Sequence, residues 1–569
     1  MQRESSEAKR KLTFEDYLPH EPESIVVTLI IILMALYYIW RMINLTPWYD
    51  ELYTYYTFIS KGPIYSAIHW PLPNNHVGYS VLSAFLDLFG NSYIGLRGVS
   101  YICAVSNLIL IYRICKRYIS HYVPVAIILL YASMQLVNEL SVQGRGYTLA
   151  TTCFLLGIYE LDKLCTREKM YISDYVKFSA IIILGLYTIP SSFYWVVPMC
   201  LSGGIYLFFK AAVTHKTSEN FWKNTYFIRL KKLLFTSFGA AMATLVLYTV
   251  IWLAIGSNLL LNEDPTLSGM GHVSIIMNEP ARAAFRGIKY MLDQPYIQSV
   301  DREGYLLKLL SFLISLGNYY YYGFGIVLLV VVIAALIIMV SETVHHFNYH
   351  RTCFNIIIAT NLIMIPVLLI ITCKIPYYRI FSYAGVLVAI SIGIIFEHII
   401  NNSVRLYNAR TARILGERAQ AGIYTETTKY RKTKDVWYDG IGMYIPFVTA
   451  LIFAICHLTS STYYAQLGSR EHQISEAYCM VDPTNYDNVC VLDCDQQYLL
   501  KFEYDIDCEN MNIIGADYVL IDRNMMDAEY NGSDFWKFYQ TYDSIDWDYI
   551  ENNLTKTYEN EGFVLYVLK

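Results

Sequence analysis

The sequence predicts a polytopic α-helical membrane protein with about eleven transmembrane helices and a small C-terminal extracytoplasmic α/β domain. Three observations predict this fold class. The 569 residues are 55% hydrophobic with a mean hydropathy of +0.33, more apolar than a soluble chain of this length requires. About eleven runs are long and apolar enough to cross a bilayer. Residues 460–569 then hold 21 of the 48 acidic residues but only 6 of the 43 basic ones.

The apolar runs divide the chain into three parts. The first run, Ile25 to Trp40, lacks a small-residue cleavage site, so it is predicted to be a spanning helix and not a signal peptide. The predicted parts are a cytoplasmic segment 1–24, a membrane module 25–459 with an outer first loop 44–95, and an outer domain 460–569. The predicted spans begin near Ile25, Leu96, Tyr122, Tyr147, Tyr175, Tyr194, Leu233, Tyr319, Cys353, Arg379 and Gly442.

The run Val77 to Phe89 decides the predicted sidedness. It has only 13 residues and contains Asp87, so it is predicted to lie in the membrane interface without crossing. The basic clusters between later spans, such as Lys210 to Lys232 and Arg405 to Lys434, then fall in the cytoplasm, as membrane proteins prefer. The first loop and the acidic tail fall on the opposite side.

The acidic tail carries alternating and apolar segments typical of a small α/β domain. "NVCVLDC", "ADYVLID" and "GFVLYVL" are predicted strands, and "DFWKFYQTYDSIDWDYIENNL" is a predicted helix. On the outer side an even number of cysteines favours disulfides with the pairing left open, and zinc binding is the less favoured alternative. These tail cysteines are Cys479, Cys490, Cys494 and Cys508.

The first outer loop places chemically active side chains beside the membrane. Asp50 and Glu51 follow the first span closely, where an apolar surround or a nearby cation shifts carboxylate pKa values. His76 follows a proline- and asparagine-rich turn that brings it back to the same edge. The alternative interpretation is a solvated juxtamembrane loop with an ordinary turn histidine.

Two further outer segments supply cations and hydrogen-bonding groups. "NELSVQGRGYT" holds Glu139, Arg145 and Tyr147, with glycines on both sides of the arginine that allow a close backbone approach. "TCKIPYYRIFSY" holds Lys374 and Arg379, which suit a phosphate at the bilayer surface. Anchoring to lipid headgroups is the alternative for these residues.

The order of "WYDELY", "PNNHVGYSVLSAFLDLFG", "NELSVQGRGYT" and "YYRIFSY" resembles C-type (GT-C) membrane glycosyltransferases that use polyprenyl-phosphate sugars. The likeness extends over roughly residues 25 to 400, and is strongest to the protein O-mannosyltransferase-like branch and its bacterial family-39-like relatives. Asp50-Glu51 matches the acidic pair of that family, and Arg145-Gly-Tyr147 its second-loop motif. This chain has His76-Val77-Gly78 where the family has His-Pro-Pro.

The resemblance implies sugar transfer from a polyprenyl-phosphate donor to an acceptor on the outer side, with inversion at the anomeric carbon. Asp50 is then the general base. Glu51 either positions the acceptor or shares a divalent cation with His76, and no other cofactor is expected. Arg145, Lys374 and Arg379 are implied to bind the donor phosphate, and His76, Tyr147 and Glu139 the substrates.

The expected partners are the lipid-linked donor, a glycan, lipid or protein acceptor, and membrane lipids, but no nucleic acid. Two other function classes stay open at this point. One is a non-catalytic lipid-linked-sugar binder or envelope scaffold. The other is a flippase, which the clustering of candidate residues on one side disfavours, because alternating access needs partners on both sides.

Overall fold

The computed structural model describes residues 21–569 except 70–73, 121, 216–220, 268, 294–297, 300–301, 348, 421–443, 461–468, 528–537 and 541. Most of the predicted cytoplasmic segment 1–24 therefore lies outside the described residues. So does the C-terminal part of the predicted basic loop Arg405 to Lys434.

The described chain is mainly helical, and several of its helices begin at a proline or at a capping side chain. Pro22 opens the first helix, and the Asn91 side chain accepts a hydrogen bond from the Ile94 N–H at the start of the fifth. In chain order the helices are Pro22–Asn44 (α1), Tyr49–Thr57 (α2), Pro63–Ile68 (α3), Val77–Asp87 (α4), Ser92–Cys115 (α5), Val123–Ala132 (α6), Gln135–Ser141 (α7), Tyr147–Thr166 (α8), Ile172–Thr188 (α9), Phe193–Thr214 (α10), Thr225–Glu263 (α11), His272–Asn278 (α12), Pro280–Asp293 (α13), Tyr305–Tyr320 (α14), Gly325–His345 (α15), Thr352–Thr372 (α16), Ala384–Gln420 (α17), Ile445–Leu458 (α18), Arg470–Val481 (α19), Cys494–Tyr504 (α20) and Trp547–Asn553 (α21).

Within the described residues, seven helices are long and apolar enough to cross a membrane. They are α1, α5, α10 extended back to Pro190, α11, α15, α16 and the first part of α17. An eighth span is possible if α6 and α7, which are bent by 68° at the break between them, count as one. The predicted helical membrane fold is confirmed, but the count of about eleven spans is not. Each of the eleven predicted runs contains a helix. The helices that are not among the seven, such as α9 and α18, are shorter or less apolar than a span requires.

Two helices outside the long spans shape the face that carries the candidate residues. The predicted interfacial run forms α4, which has only 11 residues, far short of the roughly 20 that a span needs. Helix α14 falls where the sequence predicts only an outer loop. At its two ends, the Tyr305 hydroxyl donates to the Lys374 carbonyl and the Tyr319 hydroxyl donates to Glu139. Between them, the Phe312 ring stacks on Tyr378 with centroids 5.2 Å apart. Helix α14 therefore packs against the segments that carry Glu139 and Arg379.

The tail folds as a small α/β unit, as predicted, but with a different assignment of strands. β3 (Tyr518–Asp522), β5 (Phe563–Leu568) and β4 (Leu554–Glu559) form an antiparallel sheet in the order β3-β5-β4. The predicted first strand, residues 488–494, makes only two isolated bridges, from Val489 to Tyr518 and from Asp493 to Phe538. Asp493 caps α20 and turns the chain into that helix. The predicted tail helix, residues 534–554, lies partly outside the described residues. Within its described part, α21 is the only α-helix.

No disulfide joins the four tail cysteines, all of which the structure describes, so the predicted disulfides are not formed. Cys490, Cys494 and Cys508 are buried, and Cys479 is exposed. Cys490 and Cys508 bond to backbone carbonyls, and burial raises the pKa of the Cys490 thiol to about 12. These thiols act as small core groups.

Candidate active site

Asp50 stands in the first turn of α2, where the helix dipole favours a negative charge. Its carboxylate accepts a hydrogen bond from Nη1 of Arg379 at 3.1 Å. Both side chains keep about a third of their surface exposed, 28% for Asp50 and 32% for Arg379. The ion pair therefore joins the first loop to the connection between α16 and α17 at a surface that a ligand can reach.

Glu51 lies next to Asp50 in sequence but points into the protein. Its side chain is 1% exposed and accepts two hydrogen bonds from Arg97, from Nε and Nη2, each at 2.8 Å. The backbone N–H groups of Trp48 and Gly144 also donate to it, at 3.0 and 2.5 Å. Glu51 is thus fully engaged as the buried anchor of α2.

Arg97 is the site residue that the sequence reasoning missed. In addition to its bonds to Glu51, Arg97 donates through Nη1 to two carbonyls, that of Met42 at 2.9 Å and that of Leu45 at 2.6 Å. Met42 lies in the last turn of α1, and Leu45 directly follows that helix. The guanidinium therefore ties α1, α2 and α5 together. The signal was available, since a lone arginine inside the apolar run "GLRGVS" requires a buried partner.

Arg145 is 2% exposed and links the two ends of the first loop. Nη1 donates to the Thr54 hydroxyl at 2.7 Å and to the Asp50 carbonyl at 3.4 Å. Nη2 donates to Asn74 Oδ1 at 2.7 Å and lies 3.5 Å from His76 Nε2. The arginine thus holds Asp50 and His76 in a fixed relation.

His76 is buried directly before α4 and acts as an acceptor. Its Nδ1 receives the Gly146 N–H at 2.8 Å, and its ring meets the Tyr147 ring edge-on at 5.0 Å between centroids. Burial, reinforced by the charges of Arg145 and Arg379, holds the pKa of His76 well below its usual value of 6.5. The imidazole is therefore neutral at pH 7.

The glycines around Arg145 make room for protein side chains. A Cβ on Gly144 would lie 2.5 Å from Leu96 Cδ1 and 3.1 Å from Glu51 Oε1, and one on Gly146 would lie 2.6 Å from Thr188 Cγ2 and 3.2 Å from His76 Nδ1. The two glycines thus allow the packing of Leu96 and Thr188 as well as the approach of Glu51 and His76.

The structure does not support the predicted metal pair of Glu51 and His76. Glu51 is held by Arg97 and Gly144, whereas His76 bonds through Gly146, so the two side chains bind different parts of one segment. Among the described residues, no group of three or more His, Cys, Asp or Glu side chains could hold a metal ion. The donors present do not fit a divalent cation.

Of the remaining predicted residues, Tyr147 lies close to the Asp50–Arg379 pair, whereas Lys374 does not contact it. The Arg379 guanidinium faces the Tyr147 ring at 5.8 Å and the Tyr377 ring at 5.2 Å. Lys374 lies on β2 (Lys374–Ile375), which pairs with β1 (Gln298–Ser299). In the described part of the chain, no hydrogen bond or ion pair joins the Lys374 side chain to Asp50 or Arg379.

Glu139 lies on α7 and faces α14. It accepts hydrogen bonds from Gln135 at 2.9 Å and from the Tyr319 hydroxyl of α14. Tyr319 in turn lies 5.6 Å from Tyr378, the neighbour of Arg379. Glu139 is therefore linked to the segment that carries Arg379 through Tyr319 and Tyr378.

The C-terminal domain packs directly on α2. Tyr498 of α20 meets Tyr49 edge-on at 5.6 Å and stacks on Tyr56 at 5.7 Å. His472 Nδ1 lies 3.1 Å from the Thr46 hydroxyl. The helix that carries Asp50 is thus held between the membrane module and the tail.

Residues 76–230 match the family model of dolichyl-phosphate-mannose-protein mannosyltransferases. This match confirms the resemblance to C-type membrane glycosyltransferases that the loop motifs predict. The matched segment contains His76, Glu139, Arg145 and Tyr147, whereas Asp50 and Arg379 lie outside it. A search of curated proteins found no significant match.

Several solved structures resemble the whole chain. The archaeal oligosaccharyltransferase AglB from Archaeoglobus fulgidus, in complex with an inhibitory peptide and a dolichol-phosphate, aligns with a TM-score of 0.46 and 10% identity over 96% of this chain and 74% of that chain. The apo form of the Archaeoglobus fulgidus oligosaccharyltransferase gives 0.47 and 12% over the same shares. Its complex with Zn and sulfate gives 0.47 and 10%, over 95% and 73%.

Proposed function

We propose that the protein transfers a sugar from a polyprenyl-phosphate donor to an acceptor hydroxyl at the extracytoplasmic surface of the membrane. The observation that carries this proposal is the partly exposed ion pair between Asp50 and Arg379. It puts a proton acceptor and a phosphate-binding cation side by side, at the edge of a helical bundle whose segment 76–230 matches a lipid-phosphate-sugar transferase family.

Arg379 is the proposed contact for the donor phosphate. A guanidinium has five N–H donors in a fixed fork, so it can hold a carboxylate on one nitrogen and phosphate oxygens on the others. The Arg145 charge lies nearby, with its Nη1 3.4 Å from the Asp50 carbonyl. Lys374 precedes Arg379 by five residues on the same connection and is the second candidate phosphate ligand.

Asp50 is the proposed general base. It accepts the proton of the acceptor hydroxyl while the oxygen forms a bond to the anomeric carbon and the bond from that carbon to the phosphate oxygen breaks. Polyprenyl phosphate leaves with the bonding electrons, and Arg379 stabilises its charge. A single displacement of this kind inverts the anomeric configuration. Glu51, locked by Arg97, supports α2 and takes no proton.

Replacing Asp50 tests the base. We expect Asp50→Asn to slow transfer by about 10² to 10⁴-fold, the usual contribution of a positioned base. Purified protein in nanodiscs is incubated with a panel of polyprenyl-phosphate sugars and acceptors, and mass spectrometry follows the released polyprenyl phosphate and the new glycoside. Glu303→Gln, an exposed acid near α14, is the matched control. Full turnover in Asp50→Asn would remove Asp50 from the mechanism and favour a non-catalytic binder or scaffold.

Replacing Arg379 tests the phosphate contact. Loss of a charged hydrogen bond costs about 1.5–3 kcal/mol, so Arg379→Ala should weaken donor binding roughly 10- to 100-fold. Equilibrium binding of a polyprenyl-phosphate sugar measures this, and the exposed Arg302→Ala is the control. Unchanged donor affinity in Arg379→Ala would assign Arg379 to headgroup anchoring instead.

A further inference from the structure

Two neighbouring tyrosines in the connection before α17 have opposite surroundings. The Tyr378 ring packs inward, with its centroid 5.2 Å from that of Phe312 and 5.6 Å from that of Tyr319. Tyr377, in contrast, is 54% exposed, and in the described part of the chain its hydroxyl makes no hydrogen bond. The Tyr377 ring is therefore open to a ligand.

The backbone holds Tyr377 in place on both sides. It follows β2 and Pro376, which is buried and has a fixed φ. Its own carbonyl accepts the Ile380 N–H at 3.1 Å, at the start of the 3₁₀ turn Tyr378–Phe381. The exposure of Tyr377 therefore belongs to a fixed position in the fold.

Tyr377 lies beside the proposed phosphate contact. The centroid of its ring is 5.2 Å from the guanidinium carbon of Arg379, and Arg379 Nη1 bonds to Asp50 at 3.1 Å. Arg379 is thus next to both the exposed ring and the proposed base. In the proposed donor a single oxygen joins the phosphate to the anomeric carbon, so a sugar whose phosphate binds Arg379 lies close to that guanidinium. The Tyr377 ring is within the same reach.

A tyrosine ring offers two kinds of contact to a sugar. Its face is apolar and packs against the C–H groups on one side of a pyranose, and its hydroxyl bonds to sugar hydroxyls at the edge. The other role for an exposed tyrosine at a membrane surface is an anchor in the interfacial aromatic belt. An anchor of that kind does not require the contact with Arg379 that Tyr377 makes.

We propose that Tyr377 binds the sugar of the donor and selects pyranoses with an apolar C–H face. The inference rests on the proposed sugar transfer and names a specificity residue for its donor. The phosphate binds Arg379, the sugar ring packs on Tyr377, and the anomeric carbon is thereby held next to Asp50, where the acceptor hydroxyl loses its proton. Tyr377 takes no part in the bond changes.

A comparison of two lipids separates the sugar contact from the phosphate contact. One probe is polyprenyl phosphate without a sugar, and the other is the polyprenyl-phosphate sugar that the transfer panel selects as donor. Displacement of a fluorescent polyprenyl phosphate from protein in nanodiscs measures both affinities. We expect Tyr377→Ala to weaken binding of the sugar-bearing lipid about three- to tenfold and to leave binding of the sugar-free lipid unchanged. Tyr377→Trp, which keeps an aromatic face, should retain both affinities.

Tyr322→Ala is the matched control. Tyr322 is 74% exposed and lies two residues after Tyr320, whose hydroxyl bonds to the Phe381 carbonyl. The control should change neither affinity.

Two results would overturn the sugar contact. Equal weakening of both lipids in Tyr377→Ala would show that Tyr377 only holds Arg379 in place. Unchanged affinities in Tyr377→Ala, with a wild type that turns over, would make Tyr377 an interfacial anchor and leave the proposed transfer intact. A wild type that turns over no donor of the panel would refute the transfer itself, and the sugar contact with it.

Discussion

The adjacent carboxylates of the first loop have opposite surroundings, although they are neighbours in sequence. A helix turns by about 100° per residue, so consecutive side chains on α2 point to different sides. Asp50 faces Arg379 and the surface, while Glu51 faces Arg97 and the interior. One carboxylate therefore lies at the surface, and the other anchors the helix.

Breaking the Glu51–Arg97 pair should destabilise the protein more than any single surface change. An uncompensated charge in this position costs about 3–5 kcal/mol, so Glu51→Gln and Arg97→Gln should each lower the midpoint of thermal unfolding strongly. Arg97→Lys should rescue little, because an ammonium cannot bond both Glu51 oxygens and the Met42 and Leu45 carbonyls. Fluorescence-monitored unfolding in detergent measures this.

The double variant Glu51→Gln/Arg97→Gln measures the interaction between the two side chains. Its loss of stability should be smaller than the sum of the losses in the two single variants, because both partners are then neutral. Additive losses would show that the two side chains act independently and would contradict the anchor role of Glu51.

At the scale of elements, the C-terminal part of α11 is fixed by close packing against α13. A Cβ on Gly256 would lie 1.7 Å from the Ala283 carbonyl of α13, and one on Gly287 would lie 2.1 Å from the Trp252 carbonyl. Arg282 and Arg286 of α13 pair with Asp264 and Glu263 at 2.6 and 2.5 Å. Small residues thus allow two helix backbones to touch.

Two glycines of α11 should respond oppositely to the same substitution. Gly256→Ala should destabilise by about 1–3 kcal/mol, because the Ala283 backbone must move. Gly239→Ala meets nothing within 4 Å and should be neutral or stabilising by up to about 1 kcal/mol, since alanine is the better helix former. Thermal unfolding, with limited proteolysis of α13, checks both. Equal effects of the two substitutions would contradict the close crossing of α11 and α13.

At the scale of the whole molecule, the first loop, α14 and the C-terminal domain meet at one end of the bundle. Tyr498 and Tyr56 stack across the boundary between tail and membrane module, and the tail is acidic. The predicted sidedness puts this entire end outside the cytoplasm, where a lipid-borne donor exposes its sugar.

The exposed Cys479 of the tail reports that sidedness directly. A membrane-impermeant maleimide should label Cys479 in intact cells, with Cys479→Ala as the control for other thiols. Labelling that occurs only after the membrane is permeabilised would place the tail, and with it α2 and Asp50, in the cytoplasm.

Much of the fold was predictable from the sequence, and less of the site. The eleven apolar runs all contain helices, and the strands "ADYVLID" and "GFVLYVL" form as β3 and β5. Asp50, Arg145, His76, Tyr147 and Arg379 were named from the sequence and are brought together by the structure. Arg97 was not named, and the Glu51–His76 metal pair is not formed.

The sequence by itself determined the membrane class, the approximate extent of the helices and the resemblance to lipid-phosphate-sugar transferases, because hydropathy and short motifs are properties of contiguous residues. Only the tertiary structure decided which carboxylate meets which arginine, since Asp50 and Arg379 are 329 residues apart and Glu51 and Arg97 are 46 apart. It also decided that α14 packs against Glu139 and the Arg379 segment and that α11 and α13 cross closely. Those relations depend on how helices pack, and packing depends on contacts that no local stretch of sequence contains.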